Sequence, residues 1–181
     1  ETLLYFAVPA TVGIILVSGD LIQLLFGAEF LSARGTMQIL ALSILTVVFS
    51  NFIGNQVLIA LGKERQVMIS TVCGAVANVV LNAFMIPLWS INGAAIASVI
   101  TQLLVVVIQY WYVKDVVAPR FSKRYLSSVC CGTMMMAVMV LAIIRLIPGY
   151  VLRLLCACGA GVVVYMFVTY LMTQLKIQQE K

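Results

Sequence analysis

Residues Val67 to Trp89 read VMISTVCGAVANVVLNAFMIPLW, a hydrophobic run without a charged side chain. A helix of about 20 apolar residues spans the ~30 Å hydrocarbon core of a bilayer. The run lacks the strict alternation of polar and apolar residues that membrane barrels need, and unpaired backbone groups are costly in lipid. The segment is therefore predicted to be a transmembrane helix.

Further runs of the same kind lie on both sides of this segment. The chain is 64% hydrophobic and only 9% charged, far from the composition of soluble domains. The predicted fold is thus all-α, a polytopic transmembrane helical bundle of six spans. The other five predicted spans are Leu3 to Phe26, Thr36 to Leu61, Gly93 to Val113, Tyr125 to Ile147 and Tyr150 to Leu175.

The beginning of the chain suggests that another part precedes it. There is no initial Met, and Glu1-Thr2 leads directly into a full-length span. That span is too long for a signal peptide and has no basic segment before it, so we expect it to be retained.

Charged residues between the spans predict the orientation. Cytoplasmic loops are enriched in Lys and Arg, so the richer side is assigned to the cytoplasm, and both ends of the chain are predicted to lie there. The poorer side carries Arg34, Arg145 and Arg153. The richer side carries Lys63, Arg65, Lys114, Arg120, Lys123, Arg124, Lys176 and Lys181.

The longest hydrophilic connector, residues 114–124, divides the chain. We predict four transmembrane helices in residues 1–113, a basic cytoplasmic connector in 114–124, and two C-terminal helices with a short cytoplasmic tail in 125–181. The segment Gly27 to Gly35 resembles a short interfacial turn or helix on the outer face.

Residue types needed for several other functions are missing. The chain has no His, and its five cysteines all fall inside predicted spans at spacings unsuited to a disulfide or a zinc site. We predict no catalytic residues, no metal and no cofactor. The net charge of +5 is explained by membrane topology and contact with anionic lipids, so no nucleic-acid partner is predicted.

Polar residues inside the spans are the candidate binding residues. Neutral amides at spacings of four and seven form stripes along helices, and they can contact sugar hydroxyls in a hydrated cavity. The same side chains could instead form hydrogen bonds between helices, and the sequence leaves both interpretations open. The cavity-lining candidates are Asn51, Asn55, Asn78, Asn82, Ser98, Gln102 and Gln109.

Asp20 is the only acidic residue inside a predicted span. It is a candidate for coupling transport to a proton or cation, although it could equally reach the outer interface near Glu29 or pair with Arg34. Arg145 and Arg153 are expected to extend to water at the outer interface.

Pro9, Gly13 and Pro87 are candidate helix bends, because proline removes a helical hydrogen bond and glycine weakens the helix.

Several short motifs occur in an order typical of one transporter family. Pro9 and Gly13 are followed by the segments LFGAEFLSA (25–33), ALGK (60–63), NVVLNAFMIP (78–87) and GAAIAS (93–98). In these motifs the chain resembles polysaccharide exporters, including O-antigen flippases, of the multidrug/oligosaccharidyl-lipid/polysaccharide exporter superfamily. The resemblance covers residues 1–113, whereas the last two spans match only as generic hydrophobic helices.

The resemblance implies a two-lobed transporter of 12 to 14 helices, of which this chain would supply four helices of the second lobe and two more. Such proteins move undecaprenyl-diphosphate-linked oligosaccharides across the bacterial inner membrane by alternating access. The implied partners are the lipid-linked oligosaccharide and membrane lipids, with polysaccharide polymerase and chain-length machinery as further candidates.

Two other functions remain open at this point. A drug or cation antiporter of the same superfamily should have acidic residues deep in several spans, and Asp20 is the single one here. A noncatalytic membrane assembly subunit would use its polar residues only to hold helices together.

Overall fold

The computed structural model describes residues 2–116 and 123–178, and nearly all of them are helical. The first helix, α1 (Thr2–Phe26), is followed by a short 3-10 helix, Ala28–Ala33. The last two helices are α5 (Lys123–Leu146) and α6 (Tyr150–Gln178). These helices agree with the first, fifth and sixth predicted spans, and the 3-10 helix lies within the predicted interfacial segment.

The second predicted span is built from three consecutive helical pieces. They are α2 (Arg34–Ala41), α3 (Ser43–Asn51) and a π-helix, Phe52–Leu58. Leu42, between α2 and α3, keeps helical backbone angles, so the pieces continue one another. The π-helix, with its wider turn, is the feature that hydrophobicity alone does not predict.

The third and fourth predicted spans form one long helical element, α4 (Glu64–Val113), that is broken at Ser90. Ser90 has φ 51° and ψ −130°, values that non-glycine residues rarely adopt. The two arms fold back on each other, because Asn78 on the first arm bonds to Thr101 on the second and a Cβ on Gly74 would touch Val105. The α4 element is therefore a helical hairpin, as its two predicted spans require.

Five helical stretches in the described residues are long and apolar enough to cross a membrane. One of these stretches, α4, contains two antiparallel arms. The five stretches therefore correspond to the six predicted spans. The fold class predicted from the sequence is confirmed. The middle of the predicted basic connector, residues 117–122, lies outside the described residues, as does the end of the C-terminal tail, 179–181.

The chain divides into two compact units. Unit 1 comprises Glu1–Arg34 and Arg120–Lys181, and unit 2 comprises Gly35–Pro119. Helix α1 thus belongs to the same unit as α5 and α6.

Unit 1 has a small apolar core shared by its three long helices. Val17 of α1, Val140 of α5 and Leu154 of α6 are all buried in it. Close approach of α5 and α6 depends on Gly132, where an added Cβ would lie 2.5 Å from the Thr169 side chain. Helix packing through small residues is typical of membrane proteins.

Unit 2 is held together by close backbone contacts as well as by apolar packing. Ile53, Leu58 and Val113 form its buried apolar cluster. At the hairpin tip a Cβ on Gly93 would lie only 2.1 Å from the carbonyl oxygen of Met85, so no larger residue fits there without moving the backbone.

Candidate functional site

An apolar cavity of about 410 Å³ lies within unit 1, among α1, α5 and α6. Its volume falls in the range of roughly 300 to 1,000 Å³ that is usual for small-molecule sites. The cavity is partly open, and its walls are almost entirely apolar. The residues that line it include Tyr5, Pro9, Gly13, Val17, Met136, Val140, Cys158 and Tyr165.

The first turns of α1 meet α6 at a group of hydroxyl side chains. Pro9 has no N–H, so the carbonyl of Tyr5, four residues earlier, has no helical donor. The Tyr165 hydroxyl donates a hydrogen bond to that carbonyl at 2.6 Å. The hydroxyls of Tyr5 and Thr169 also form a hydrogen bond, and the rings of Tyr5 and Tyr165 pack edge to face. Pro9 therefore creates an acceptor by which α6 is attached to α1.

A buried ion pair joins α1 and α6 farther along the two helices. Arg153 Nε donates to Asp20 Oδ2 at 2.8 Å, and Arg153 Nη2 donates to the other carboxylate oxygen. Asp20 is only 8% exposed, so the pair is largely removed from solvent. A third nitrogen of Arg153, Nη1, lies 3.5 Å from the carbonyl oxygen of Ile144, near the end of α5 and four residues before Pro148. Arg153 thus contacts all three helices of the unit.

This pairing differs from the arrangement expected from the sequence. The sequence offers Asp20 as an ion-coupling residue or as a partner of Arg34, and it predicts that Arg153 extends to water. In the structure both oxygens of Asp20 are engaged by Arg153. Arg34 instead packs along α1, with its side chain 3.5 to 3.8 Å from the position that a Cβ on Gly19 would take.

In unit 2, Asn78 and Asn82 lie between the arms of α4. Asn82 Nδ2 donates to Asn78 Oδ1 at 2.9 Å, and Asn78 Nδ2 lies 3.4 Å from Thr101 Oγ1. Thr101 donates in turn to the backbone of Ala97. Asn82 Oδ1 is buried and has no hydrogen-bond partner among the described residues. The hydrogen bonds of Asn78 and Asn82 to described residues thus lie within unit 2, while one acceptor of Asn82 is unused.

Gln109 is 2% exposed and is also used within unit 2. Ser50 donates to Gln109 Oε1 at 3.0 Å, and a Cβ on Gly54 would lie 2.9 Å from Gln109 Nε2. Ser98 donates to the carbonyl of Ala94. Gln102 is half-buried, and no side-chain hydrogen bond is seen for it within residues 2–116 and 123–178. Ser98, Gln102 and Gln109 thus lie on one arm of α4 but differ in their hydrogen bonds, and their role in lining a cavity stays a prediction.

Asn51 and Asn55 differ from the other amides because both are exposed. Asn55 Nδ2 donates to Asn51 Oδ1 at 2.9 Å, and Asn51 Nδ2 donates to the carbonyl of Val47 at 3.1 Å. The pair stands where α3 passes into the π-helix.

The predicted bend residues have separate positions. Pro9 lies inside an uninterrupted helix, Gly13 lines the cavity, and Pro87 lies in the first arm of α4, three residues before the break at Ser90. Sequence reasoning missed the roles of Tyr165 and Arg153. A signal for their contacts was present, since each contacts a carbonyl four residues before a proline.

The described residues contain no group of three or more His, Cys, Asp or Glu side chains that could hold a metal ion. The five cysteines are free thiols.

No protein-family model matches the chain. It is 33% identical to the lipid II flippase MurJ of Bacillus subtilis over 100 residues, which are 54% of this chain and 18% of that protein. It is also 29% identical to an uncharacterized membrane protein of Methanocaldococcus jannaschii over 140 residues, 77% of this chain and 27% of the relative. The chain therefore spans less than a third of the length of either relative.

The structure is similar to that of a lipid II flippase MurJ solved in an inward closed conformation. The TM-score is 0.80 at 16% sequence identity, and the match covers 96% of this chain and 37% of that one. The matched part of this chain includes the last two helices, whose sequence resembles polysaccharide exporters only as generic hydrophobic helices. The chain is therefore a multi-pass membrane protein whose all-helical fold is that of a part of MurJ, and its sequence is similar to flippase-type exporters.

Proposed function

We propose that the protein carrying this chain is a membrane transporter, not an enzyme, that moves a lipid-linked saccharide across the membrane by alternating access. The similarity to proteins named lipid II flippase supports this class of activity. In its finer form the proposal is that the substrate is an undecaprenyl-diphosphate-linked oligosaccharide for surface polysaccharide synthesis at a bacterial inner membrane. The O-antigen pathway, with its polymerase and chain-length machinery, is one setting for such a substrate.

The observation that carries the proposal is the apolar cavity of unit 1. A lipid-linked saccharide has a long hydrocarbon chain, and a cavity with almost no polar lining suits a hydrocarbon chain better than a sugar or an ion. The helices around the cavity are joined by the hydrogen bond between Tyr165 and Tyr5 and by the ion pair between Arg153 and Asp20. These contacts hold the cavity walls in place.

The alternative of an ion-coupled antiporter receives less support. Asp20, its candidate residue, has both carboxylate oxygens bonded to Arg153, and an ion or proton would have to displace a buried arginine. We propose that Asp20 has a structural role in unit 1.

The test uses the full-length protein in liposomes with a fluorescent undecaprenyl-diphosphate-linked saccharide. A quencher that does not cross membranes measures how much probe remains in the outer leaflet. The full-length protein should speed exchange between leaflets, and protein-free liposomes supply the baseline. Exchange no faster than this baseline would contradict the proposed function.

Two matched variants test the cavity. Cys158 is exposed and lines the cavity, whereas Cys130 is exposed on α5 and does not. Cys158→Phe should fill part of the cavity and slow exchange by about tenfold, and Cys130→Phe should leave the rate near that of the unaltered protein. Equal rates for the two variants at equal protein abundance would exclude the cavity as the site of the lipid chain.

A further inference from the structure

The amides of Asn51 and Asn55 face away from the other helices of unit 2. Asn78, Asn82 and Gln109 are half-buried or buried and bond to side chains of their own unit. Asn51 and Asn55 are exposed and bond only to each other and to the backbone of α3 among the described residues. The side-chain oxygen Oδ1 of Asn55 accepts no hydrogen bond from a described residue, so the pair has unused hydrogen-bonding capacity.

The π-helix sets the direction of Asn55. Gly54 and Ile53 are buried against the unit, and the next residue, Asn55, is exposed on the other side. The Ile59 N–H donates a hydrogen bond to the Gly54 carbonyl, five residues earlier, and this spacing defines a π-helical turn. π-helical turns are frequent at functional sites because they displace side chains from the regular α-helical register.

The depth of the pair makes its exposure costly in a hydrocarbon environment. Asn51 lies seven residues and Asn55 three residues before Leu58, the last residue of the π-helix, which is about 10 Å and about 4 Å from that end at the α-helical rise of ~1.5 Å per residue. Polar side chains at membrane depth usually face a protein interior or a hydrated cavity rather than lipid. We therefore expect this surface to meet water or polar groups.

The helical segment that carries the pair has no charged residue. No charged residue occurs between Gly35 and Gly62, so this part of the chain offers no cation for a phosphate and no carboxylate for a metal ion. An amide both donates and accepts hydrogen bonds, which matches hydroxyl groups. A neutral saccharide therefore suits the pair better than a diphosphate or an ion.

We propose that Asn51 and Asn55 form a contact site for hydroxyl groups of the saccharide part of a lipid-linked substrate. This proposal rests on the proposed function and assigns the head group to a surface on unit 2. Asn78 and Gln109, by contrast, make side-chain hydrogen bonds between helices of unit 2, to Thr101 and Ser50.

The first test measures transport in liposomes containing the full-length protein. The probe is a fluorescent undecaprenyl-diphosphate-linked N-acetylglucosamine, and the variants are N51L/N55L, N51Q/N55Q and V47A. N51L/N55L should slow exchange by about tenfold at unchanged protein abundance, while N51Q/N55Q, which keeps the amides, should lose less. Val47 lies on the same exposed face and provides the control, so V47A should match the unaltered protein.

The second test measures access to the site. Asn55→Cys is made in a protein whose other cysteines are replaced by alanine, and it is labelled with a maleimide that does not cross membranes. Labelling should be rapid and should be slowed by the N-acetylglucosamine lipid but not by undecaprenyl diphosphate, which lacks only the sugar. Val79→Cys, at an exposed apolar position of α4, should remain unlabelled.

The outcomes separate this proposal from the proposed function. Failure of the unaltered protein to move the probe contradicts the proposed function itself. Normal transport by N51L/N55L, in a protein that does move the probe, overturns the saccharide site. An unlabelled Asn55→Cys, or equal protection by both lipids, also overturns it, because the surface would then be covered by protein or insensitive to sugar.

Discussion

Two side chains of α6 reach carbonyl groups that have no helical donor, one on α1 because of Pro9 and one in the last turn of α5 because the helix ends there. Tyr165 donates to the carbonyl of Tyr5, which precedes Pro9 by four residues, and Arg153 approaches the carbonyl of Ile144, which precedes Pro148 by four. A free carbonyl in an apolar environment carries an energetic cost unless a donor reaches it. Pro9 therefore provides one point at which α6 attaches to α1, and the end of α5 provides another.

The bond from Tyr165 to Tyr5 gives a prediction at the residue scale. Tyr165→Phe should lower the free energy of unfolding by about 1 to 3 kcal/mol, because the Tyr5 carbonyl loses its donor. In a Pro9→Ala background the loss should be smaller, since the alanine introduced there has a backbone N–H that can donate to the same carbonyl. Denaturation in detergent of the four proteins in this cycle measures the difference. An equal loss in both backgrounds would contradict the assigned role of Pro9.

The ion pair gives a second prediction at this scale. Arg153→Met should destabilise the protein by about 3 kcal/mol, because it leaves the buried Asp20 without its partner. Adding Asp20→Leu should recover most of this loss, since no unpaired charge remains. Arg145→Met, at an exposed position on α5, should change stability by less than about 0.5 kcal/mol. Thermal unfolding in detergent provides the measurement, and a double variant less stable than Arg153→Met would be the contrary result.

Residue partners were harder to predict than residue positions. Asp20 stands out in the sequence because it is the acidic residue of an apolar span, but its partner lies 133 positions away. Spacing along one helix identifies neighbours three or four residues apart and says nothing about a contact with a distant helix. The exposure of Asn51 and the burial of Gln109 likewise depend on packing that the stripes alone do not specify.

At the scale of helices, the hairpin of α4 was the easiest element to predict and the π-helix the hardest. Trp89 and Asn92-Gly93 mark the ends of two apolar runs, and the structure breaks the helix between them, at Ser90. The π-helix replaces what the sequence predicts as an ordinary end of the second span. A π-helix differs from an α-helix in its backbone hydrogen bonds, and the hydrophobicity of the sequence does not indicate that difference.

The strained turn at Ser90 gives a prediction at this scale. Its positive φ is easily adopted by glycine but not by residues with a Cβ, so Ser90→Gly should stabilise the protein by about 1 kcal/mol. Ser90→Val should be destabilising, because a β-branched side chain is less compatible with this conformation. Unfolding midpoints in detergent distinguish the two. A loss of stability in Ser90→Gly would indicate that the serine hydroxyl matters more than the backbone strain.

At the scale of the molecule, sequence order does not give the grouping of helices. Consecutive elements are usually neighbours in space, which is why four successive spans are expected to form one group. Unit 2 follows that rule, because it is made of consecutive helices. Unit 1 does not, because α1 packs with α5 and α6, and only long-range contacts such as Tyr165 with Tyr5 reveal this.

Membrane orientation gives a prediction at the same scale. We expect single cysteines at Arg65 and Lys114 to react with an impermeant maleimide from the cytoplasmic side, and cysteines at Asn92 and Gly149 to react from the opposite side. The physical reason is the excess of Lys and Arg in the connections assigned to the cytoplasm. Labelling of intact cells, compared with labelling of inverted membranes, measures this in the full-length protein. If cysteines at Asn92 and Lys114 were labelled from the same side, the second arm of α4 would not cross the membrane, and the prediction of two crossings by α4 would be contradicted.

The long separation between Asp20 and Arg153 has a consequence for biosynthesis. Ribosomes add about 5 to 20 residues per second, so the 133 positions between them take roughly 7 to 27 seconds to translate. Helix α1 therefore enters the membrane well before the arginine that neutralises its carboxylate exists. During that interval Asp20 has to be shielded by the insertion machinery or held near water, while the hairpin of unit 2 can already assemble from helices that emerge one after another.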